Sequence, residues 1–205
     1  MGMRITEAEL HGLFPELSEI SDPPLRAAVT AIWQEIAAEC AWDRLDDIPK
    51  NLDAEKHRRL TDHIRIVTRM ALRLAETAQS ESGTAYNRDH LIAMCLLHDV
   101  SKPVECEPDP TGADPTGAAP GGPVRAARKS KLGKLVQHAV YATHKCFAHN
   151  LPVEIAHVVN THTHQSGVAS ATVEGAYLFY ADYCDSDVAL IPSGGRTFLS
   201  RWELR

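Results

Sequence analysis

Apolar residues recur at intervals of three and four positions along most of this chain, which is the spacing of helices with one buried face. The pattern predicts helices over residues 25–40, 52–79, 89–100, 134–149, 153–162 and 171–191. Asp22 and Ser170 stand where they can cap the first and the last of these helices. No alternating run of β-branched residues extends beyond four or five positions. The chain is therefore predicted to be all-α.

Residues 103–130 interrupt this pattern, with six prolines, four glycines and no apolar periodicity. They contain the pentapeptide DPTGA twice in succession, at 109–113 and 114–118. The first half of the segment is acidic and its end is basic. Such a composition is typical of a long insertion loop, which is either a solvated segment that grew by duplication or a mobile lid over a site.

The composition is that of a globular domain, since 44% of the 205 residues are hydrophobic and 23% are charged. The formal net charge of −6 argues against nonspecific nucleic-acid binding, which usually needs a basic face. No apolar stretch reaches the length of about 18 residues that a membrane span requires, so we expect no membrane partner. The five cysteines form no Cys-x-x-Cys pair, which predicts reduced thiols and a cytoplasmic protein.

Histidine is the side chain that most often binds metals, and this chain has eleven. His98 and Asp99 follow the apolar run 91–97, where two uncompensated polar side chains would be costly to bury. His63 and Asp182 also lie within apolar helical segments. A divalent cation would compensate for the water that these side chains lose on burial.

Two further histidines, His138 and His162, are positioned to join this group. They lie near the outer ends of two predicted helices that the Asn-Leu-Pro sequence at 150–152 separates. Each helical arm has a length of about 15 Å, so an antiparallel pair returns both imidazoles to the same level of the fold.

The chain resembles the HD-domain superfamily of metal-dependent enzymes over about residues 60–187. The resemblance lies in the order of six side chains, supported by Leu-Leu-His-Asp-x-x-Lys at 96–102 and Leu-Pro-x-x-Ile-Ala at 151–156. It implies a helical bundle with two divalent metal ions per chain, of iron, manganese or zinc. Four residues would hold the first ion: His63, His98, Asp99 and Asp182. His138 and His162 would hold the second ion, with Asp99 as the bridge.

The resemblance also implies a division of the chain. Residues 57–191 would form the metal-binding domain, which carries the insertion loop at 103–130. Residues 192–205 would form a C-terminal tail. Residues 1–56 would be an N-terminal helical addition that packs on the site domain or forms an oligomer contact, for example in a homodimer.

The first functional hypothesis is a metal-dependent hydrolase, a phosphohydrolase or phosphodiesterase that acts on a small anionic substrate. Two cations about 3.5–4 Å apart would generate a bridging hydroxide and clamp the phosphoryl oxygens. The candidate catalytic residues are Asp99, Lys102, which would neutralise charge on the substrate, and His164, which would act as an acid or base if the helix ends at His162. The motifs typical of cyclic-dinucleotide phosphodiesterases, alarmone hydrolases and deoxynucleotide triphosphohydrolases are absent, which argues against those substrates.

Two other functions remain open at the level of sequence. The same six ligands loaded with iron resemble the mixed-valent diiron oxygenases of the superfamily, which use O₂ to cleave a C–H, C–C or C–P bond, and histidine and carboxylate ligands suit iron as well as manganese or zinc. The third function is a regulatory or binding domain with a structural metal. Asp185, three residues after Asp182, is expected to cap the helix surface or to be hydrated.

Overall fold

The computed structural model describes residues 2–114 and 124–202, and within them nearly all regular structure is helical. The α-helices are α1 (Glu7–Leu13), α2 (Pro23–Glu39), α3 (Leu60–Ser82), α4 (Arg88–Leu97), α5 (Lys102–Glu105), α6 (Lys131–Leu135), α7 (Val140–Ala148), α8 (Val153–Thr161) and α9 (Val173–Leu190). Two short antiparallel strands, β1 (Cys106–Pro108) and β2 (Ala127–Lys129), are paired. The prediction of an all-α fold is confirmed.

Helix α4 forms the centre of the core, because its seven residues from Leu91 to Leu97 are all fully buried. Helices α2, α3, α8 and α9 pack around it. The indole Nε1 of Trp33 on α2 donates to the carbonyl of Leu96 at 3.1 Å. This packing fixes the end of α4, and with it His98 and Asp99, deep in the molecule.

In the described part of the chain, five of the α-helices have a polar side chain at the N-cap that accepts a hydrogen bond from the first turn, which stabilises a helix start. Asp22 caps α2 as predicted, and Asn87 caps α4. The prediction that Ser170 caps α9 is wrong. Thr172 takes that role, since its hydroxyl accepts from the amide of Gly175 at 3.0 Å, whereas the Ser170 hydroxyl is buried and makes no hydrogen bond.

Helix α3 begins at Leu60, so the predicted start at residue 52 is wrong. Residues before it form turns instead, because the Asn51 side chain accepts from the amides of Asp53 and Glu55 at 3.1 and 3.0 Å. Such local side-chain bonds compete with helix formation. The turns bring Glu55 and its neighbours against α9, which matters for the site described below.

The single helix predicted over 134–149 is also wrong, since α6 and α7 are separate there. Val136 is extended and Ala139 adopts a left-handed conformation with φ of 70°. The interruption leaves His138 in a non-helical link, where its ring reaches the centre of the fold. Contacts of that ring, described below, outweigh the local preference for helix.

The described parts of the insertion at 103–130 contain regular structure, although the segment was predicted to be a loop. Helix α5 extends into it from Lys102 and is followed by β1, which pairs with β2 so that Cys106 lies opposite Lys129. The first DPTGA copy lies in the described residues, but the second copy lies mostly outside them. The prediction that this segment acts as a lid therefore lies outside the described part of the structure.

The chain reverses after α9 in a turn that a glycine makes possible. Gly194 has a φ of 66°, a left-handed conformation that side chains with a Cβ disfavour. Beyond the turn, the buried carboxylate of Asp187 accepts from the amides of Phe198 and Leu199 at 2.6 and 3.0 Å. These bonds hold the C-terminal segment against α9.

Candidate metal centre

The six side chains predicted as metal ligands converge in the structure from five different parts of the chain. His63 lies in the first turn of α3, and Asp182 lies in the middle of α9. His98 and Asp99 follow α4, His138 lies in the link between α6 and α7, and His162 follows α8. The four imidazoles stand edge to face around the site, with neighbouring ring centroids 5.2–5.3 Å apart.

Asp99 lies between two pairs of histidines. Its Oδ2 atom is 3.6 Å from Nε2 of His63 and 3.7 Å from Nε2 of His98. Its Oδ1 atom is 3.0 Å from Nε2 of His138 and 3.7 Å from Nε2 of His162. Two groups of potential ligands therefore share one carboxylate. Asp182 adjoins the first group, with Oδ1 located 3.3 Å from Nε2 of His63.

The hydrogen bonds at the Nδ1 atoms determine which ring nitrogen can bind a metal. Nδ1 of His98 and of His162 each lie 2.7 Å from a backbone carbonyl, of Cys95 and Val159 respectively. A carbonyl only accepts, so each Nδ1 carries the proton and each Nε2 keeps its lone pair. Bonding of Nδ1 to a backbone carbonyl or carboxylate is the usual arrangement behind a metal-binding histidine.

The facing lone pairs fit a cation. Nε2 of His63 is 3.3 Å from Nε2 of His98. Nδ1 of His63 donates to Oδ2 of Asp185 at 2.7 Å. Burial opposes protonation of His63, but hydrogen bonds to Asp182 and Asp185 prevail and raise its pKa, so these carboxylates favour a positive charge at this position. Two lone pairs at this distance repel unless a positive charge lies near both. The chemistry of the donor set, nitrogens and carboxylate oxygens only, suits zinc, manganese and iron.

Asp185 is buried and belongs to the site, so the expectation of a capping or hydrated surface residue is wrong. Asp185 accepts a hydrogen bond from His63. Both of its carboxylate oxygens also accept hydrogen bonds from Nη2 of Arg58, at 2.7 and 2.9 Å. Arg58 also donates to Glu55 at 2.6 Å, and Glu55 in turn accepts from buried Lys50 at 2.7 Å. The turns before α3 thus support a histidine of the centre. Sequence analysis missed this chain of contacts, although Asp185 shares a face with Asp182.

Glu105 plays the corresponding part for the other histidine pair and was also missed. Nδ1 of His138 lies 3.0 Å from both carboxylate oxygens of Glu105, at the end of α5. The hydroxyl of Ser101 donates to the same carboxylate at 2.5 Å. In the sequence, Glu105 lies in an acidic segment that was predicted to be a loop. Its carboxylate lies close to His138 because the chain is not helical between α6 and α7.

Burial and charge move the pKa values of the site in opposite directions. Burial lowers the pKa of His98 to about 4, which keeps the ring neutral at pH 7. Burial and Lys102 oppose protonation of His138, but hydrogen bonds to Asp99 and Glu105 prevail and raise its pKa to about 9. Burial likewise opposes ionisation of Asp99, yet Lys102 and the histidines hold its pKa well below the usual range. Asp99 therefore carries a full negative charge between the two histidine pairs.

A cavity of about 1040 Å³ opens onto this centre. Asp99, His138, His162 and Asp182 line it, as does Lys102, whose Nζ is 4.0 Å from Oδ1 of Asp99. The prediction for the His164 side chain lies outside the described part of the structure, which shows only that His164 begins a short 3-10 turn after α8. The cavity is large enough for a small organic ligand.

This fold and site define an all-α protein with a histidine- and aspartate-rich centre suited to divalent cations. The chain belongs to the HD domain family, whose family model matches residues 60–187. Dihydroneopterin 2′,3′-cyclic phosphate phosphodiesterase of Methanocaldococcus jannaschii is 25% identical over 130 residues, which are 63% of this chain. The chain spans 47% of the length of that curated relative. No solved structure gives a significant match. Among the described residues, none of the helices is both long and apolar enough for a membrane span.

Proposed function

We propose that this protein is a metal-dependent phosphohydrolase or phosphodiesterase that acts on a small anionic substrate and holds two divalent cations. The observation that carries the proposal is the position of Asp99, whose two carboxylate oxygens each face a different pair of histidines. A carboxylate shared in this way would hold two cations close together, and two-metal hydrolysis uses such a closely spaced pair.

The two groups divide the ligands between the cations. His63, His98, Asp99 and Asp182 would hold one cation, and Asp99, His138 and His162 would hold the other. Cations at these positions, when bound, supply an activated water nucleophile and a positive clamp for phosphoryl oxygens.

Two further side chains, those of Lys102 and His164, would act on the substrate. Lys102, which lines the cavity beside Asp99, would neutralise charge that develops on the phosphoryl oxygens. Asp99 and Glu105 together outweigh burial and raise the pKa of Lys102, so this side chain stays charged. We assign His164 the role of a proton donor or acceptor for the leaving group.

The HD metal-binding domain would span 57–191, with 1–56 as its helical addition and 192–205 as its tail.

Two further observations support parts of this proposal. The similarity to a 2′,3′-cyclic phosphate phosphodiesterase favours phosphate diesters as the first substrates to examine. The five cysteines are all unpaired, which fits a reducing compartment such as the cytoplasm.

The test is hydrolysis of bis(p-nitrophenyl) phosphate and of nucleoside 2′,3′-cyclic phosphates with added Mn²⁺ or Zn²⁺, in the absence of O₂. We expect turnover with at least one of these metals and none with a chelator. Iron-dependent consumption of O₂ without release of p-nitrophenol or formation of nucleoside monophosphates would overturn the proposal in favour of a diiron oxygenase.

Metal counts test the ligand assignment separately from activity. Replacing Asp99 with alanine removes the shared carboxylate, so we expect the variant to lose both cations and all activity. Replacing His138 with alanine should remove one cation of the two. Elemental analysis of the purified, dialysed variants gives the number per chain. Full metal content in the Asp99→Ala variant would contradict the shared-carboxylate assignment.

A further inference from the structure

The C-terminal segment forms one wall of the cavity that holds the metal centre. Arg196, Thr197 and Phe198 all line this cavity, on the side formed with α9. The left-handed turn at Gly194 and the two bonds from Asp187 to the amides of Phe198 and Leu199 hold the segment there. Residues that the sequence marks only as a tail therefore contribute to the space where a substrate would bind.

This wall contains an aromatic stack. The ring of Phe198 lies against that of Tyr183, with centroids 4.1 Å apart at 61°. Tyr183 in turn stacks on Phe179, with centroids 4.2 Å apart at 28°. Tyr183 and Phe198 line the cavity, and both are partly exposed. Tyr183 directly follows Asp182, so the stack begins one residue from the metal centre.

The two sides of the cavity differ in chemistry. The part of the lining at the metal centre carries two of the four imidazoles, together with Asp99 and Lys102, which suit a phosphoryl group once cations are present. The part formed by α9 and the C-terminal segment carries the rings of Tyr183 and Phe198 and the guanidinium of Arg196. Aromatic side chains favour stacked or edge-to-face contact with another ring, and a guanidinium can stack on a planar ring as well. A ligand that satisfies both sides needs an anionic phosphate joined to a planar ring.

We infer that the cavity selects phosphate esters whose organic part contains a planar aromatic or heteroaromatic ring, with Tyr183 and Phe198 as the residues that determine this specificity. The inference rests on the proposed function, because it places the phosphoryl group at the metal centre. It goes further by assigning a class of organic group and by giving the C-terminal segment a role in recognition.

Binding of two stable phosphonates to the Mn²⁺-loaded protein tests the inference without requiring turnover. Phenylphosphonate and methylphosphonate present the same anion to the metal centre and differ in the ring. We expect the wild-type protein to bind phenylphosphonate about three- to tenfold more tightly, the range that aromatic contacts typically contribute. Isothermal titration calorimetry gives both dissociation constants.

Substitutions locate the source of the preference. In Phe198→Ala the ratio of the two dissociation constants should fall to about one third of the wild-type ratio or less. Tyr183→Leu provides a second variant if Phe198→Ala unfolds. Phe179→Leu is the matched control, since Phe179 belongs to the same stack but does not line the cavity, and it should keep the wild-type ratio.

The outcomes separate this inference from the proposed function. Equal binding of the two phosphonates to the wild type, or no measurable binding of either, overturns the inference even if phosphate diesters are hydrolysed. A ring preference that disappears in Phe198→Ala supports it even if no hydrolysis is found, in which case the proposed function alone fails. A preference that survives both cavity-wall substitutions also overturns it.

Discussion

Each histidine of the centre has a partner at Nδ1, and the four partners are of two kinds. His98 and His162 donate to backbone carbonyls, which the folded main chain fixes in place. His63 and His138 instead lie against the carboxylates of Asp185 and Glu105. A carboxylate partner raises the basicity of the opposite ring nitrogen as well as orienting the ring. Each of the two ligand groups thus contains one histidine of each kind.

Neutral replacements of these two carboxylates should weaken different cations. Asp185→Asn removes the charge behind His63, and Glu105→Gln removes the charge behind His138. We expect each to weaken one cation by about 10- to 100-fold and to leave the other nearly unchanged, because outer partners of metal ligands contribute on that scale. Titration with Mn²⁺ followed by calorimetry measures both sites.

Each of these variants serves as the control for the other, because both lose one buried negative charge near the centre. Equal weakening of both cations in either variant would show that the effect comes from the net charge of the site. A folded variant that binds both cations like the wild type would show that the carboxylate does not position its histidine.

The sequence pattern, together with the resemblance to the HD superfamily, predicted the six central side chains but not the residues that support them. His98 and Asp99 were found because polar residues at the end of an apolar run are conspicuous. The prediction for Asp185 was wrong because no residue near it in the sequence indicates its partner. That partner, Arg58, lies 127 residues away and pairs with Asp185 in the folded protein. Glu105 lies in a segment with no periodicity. Both depend on contacts between distant parts of the chain.

At the level of elements, helix centres were predicted well and helix boundaries less well. The apolar period identifies which face of α3 or α9 is buried, but it does not report the Asn51 turn that delays α3. It also continues through Ala139, where the chain is in fact left-handed. Before α3, local side-chain bonds from Asn51 compete with the helix, whereas at Ala139 contacts of the His138 ring that form only in the folded protein override the local preference for helix.

Two exposed glycines, Gly194 in the turn after α9 and Gly12 in α1, give a prediction about stability. Alanine at Gly194 would meet no neighbouring atom, so its cost is the left-handed backbone alone, about 1 kcal/mol. Gly12 lies in α1 with equally open surroundings, and alanine there should stabilise the protein by about 0.5–1 kcal/mol through helix propensity. Chemical denaturation measures both changes. A stabilised Gly194→Ala variant would contradict the left-handed turn.

The contact between α2 and α7 gives a prediction about a buried cation. Lys145 on α7 is almost fully buried and lies 2.8 and 2.7 Å from carboxylate oxygens of Glu35 and Glu39 on α2. Replacing Lys145 with alanine leaves both carboxylates without this partner and should lower the free energy of unfolding by about 1–3 kcal/mol. Urea denaturation monitored by circular dichroism gives the value.

An exposed ion pair supplies the matched control for Lys145. Arg73 pairs with Glu76 at 2.8 Å on the surface of α3, with 84% of the Arg73 side chain exposed. Arg73→Ala should change the free energy of unfolding by about 0.5 kcal/mol or less, because solvent screens such pairs. Similar losses in the two variants would mean that the Lys145 cluster contributes no more than a surface pair.

At the level of the whole molecule, the metal centre joins most of the structure. Its six side chains come from α3, α9, the ends of α4 and α8, and the link before α7. The supports extend further, to α5 through Glu105 and to the turns before α3 through Arg58. The same hydrophobic core runs from Leu10 in α1 to Ala181 in α9. Cations at this centre would therefore hold together elements that also share one core.

This arrangement predicts that bound cations stabilise the whole fold. A ligand that binds only the folded state at 100 times its dissociation constant adds about 2.7 kcal/mol, which for a protein of this size raises the melting temperature by roughly 5–10 °C. We expect that rise when Mn²⁺ is added to chelator-treated protein, in a scan followed by circular dichroism. Asp99→Ala should show no comparable rise, because it lacks the carboxylate that both groups share. An unchanged wild-type melting temperature in saturating Mn²⁺ and Zn²⁺ would mean that the convergent histidines hold no cation, since no cation can bind the folded state alone without stabilising it.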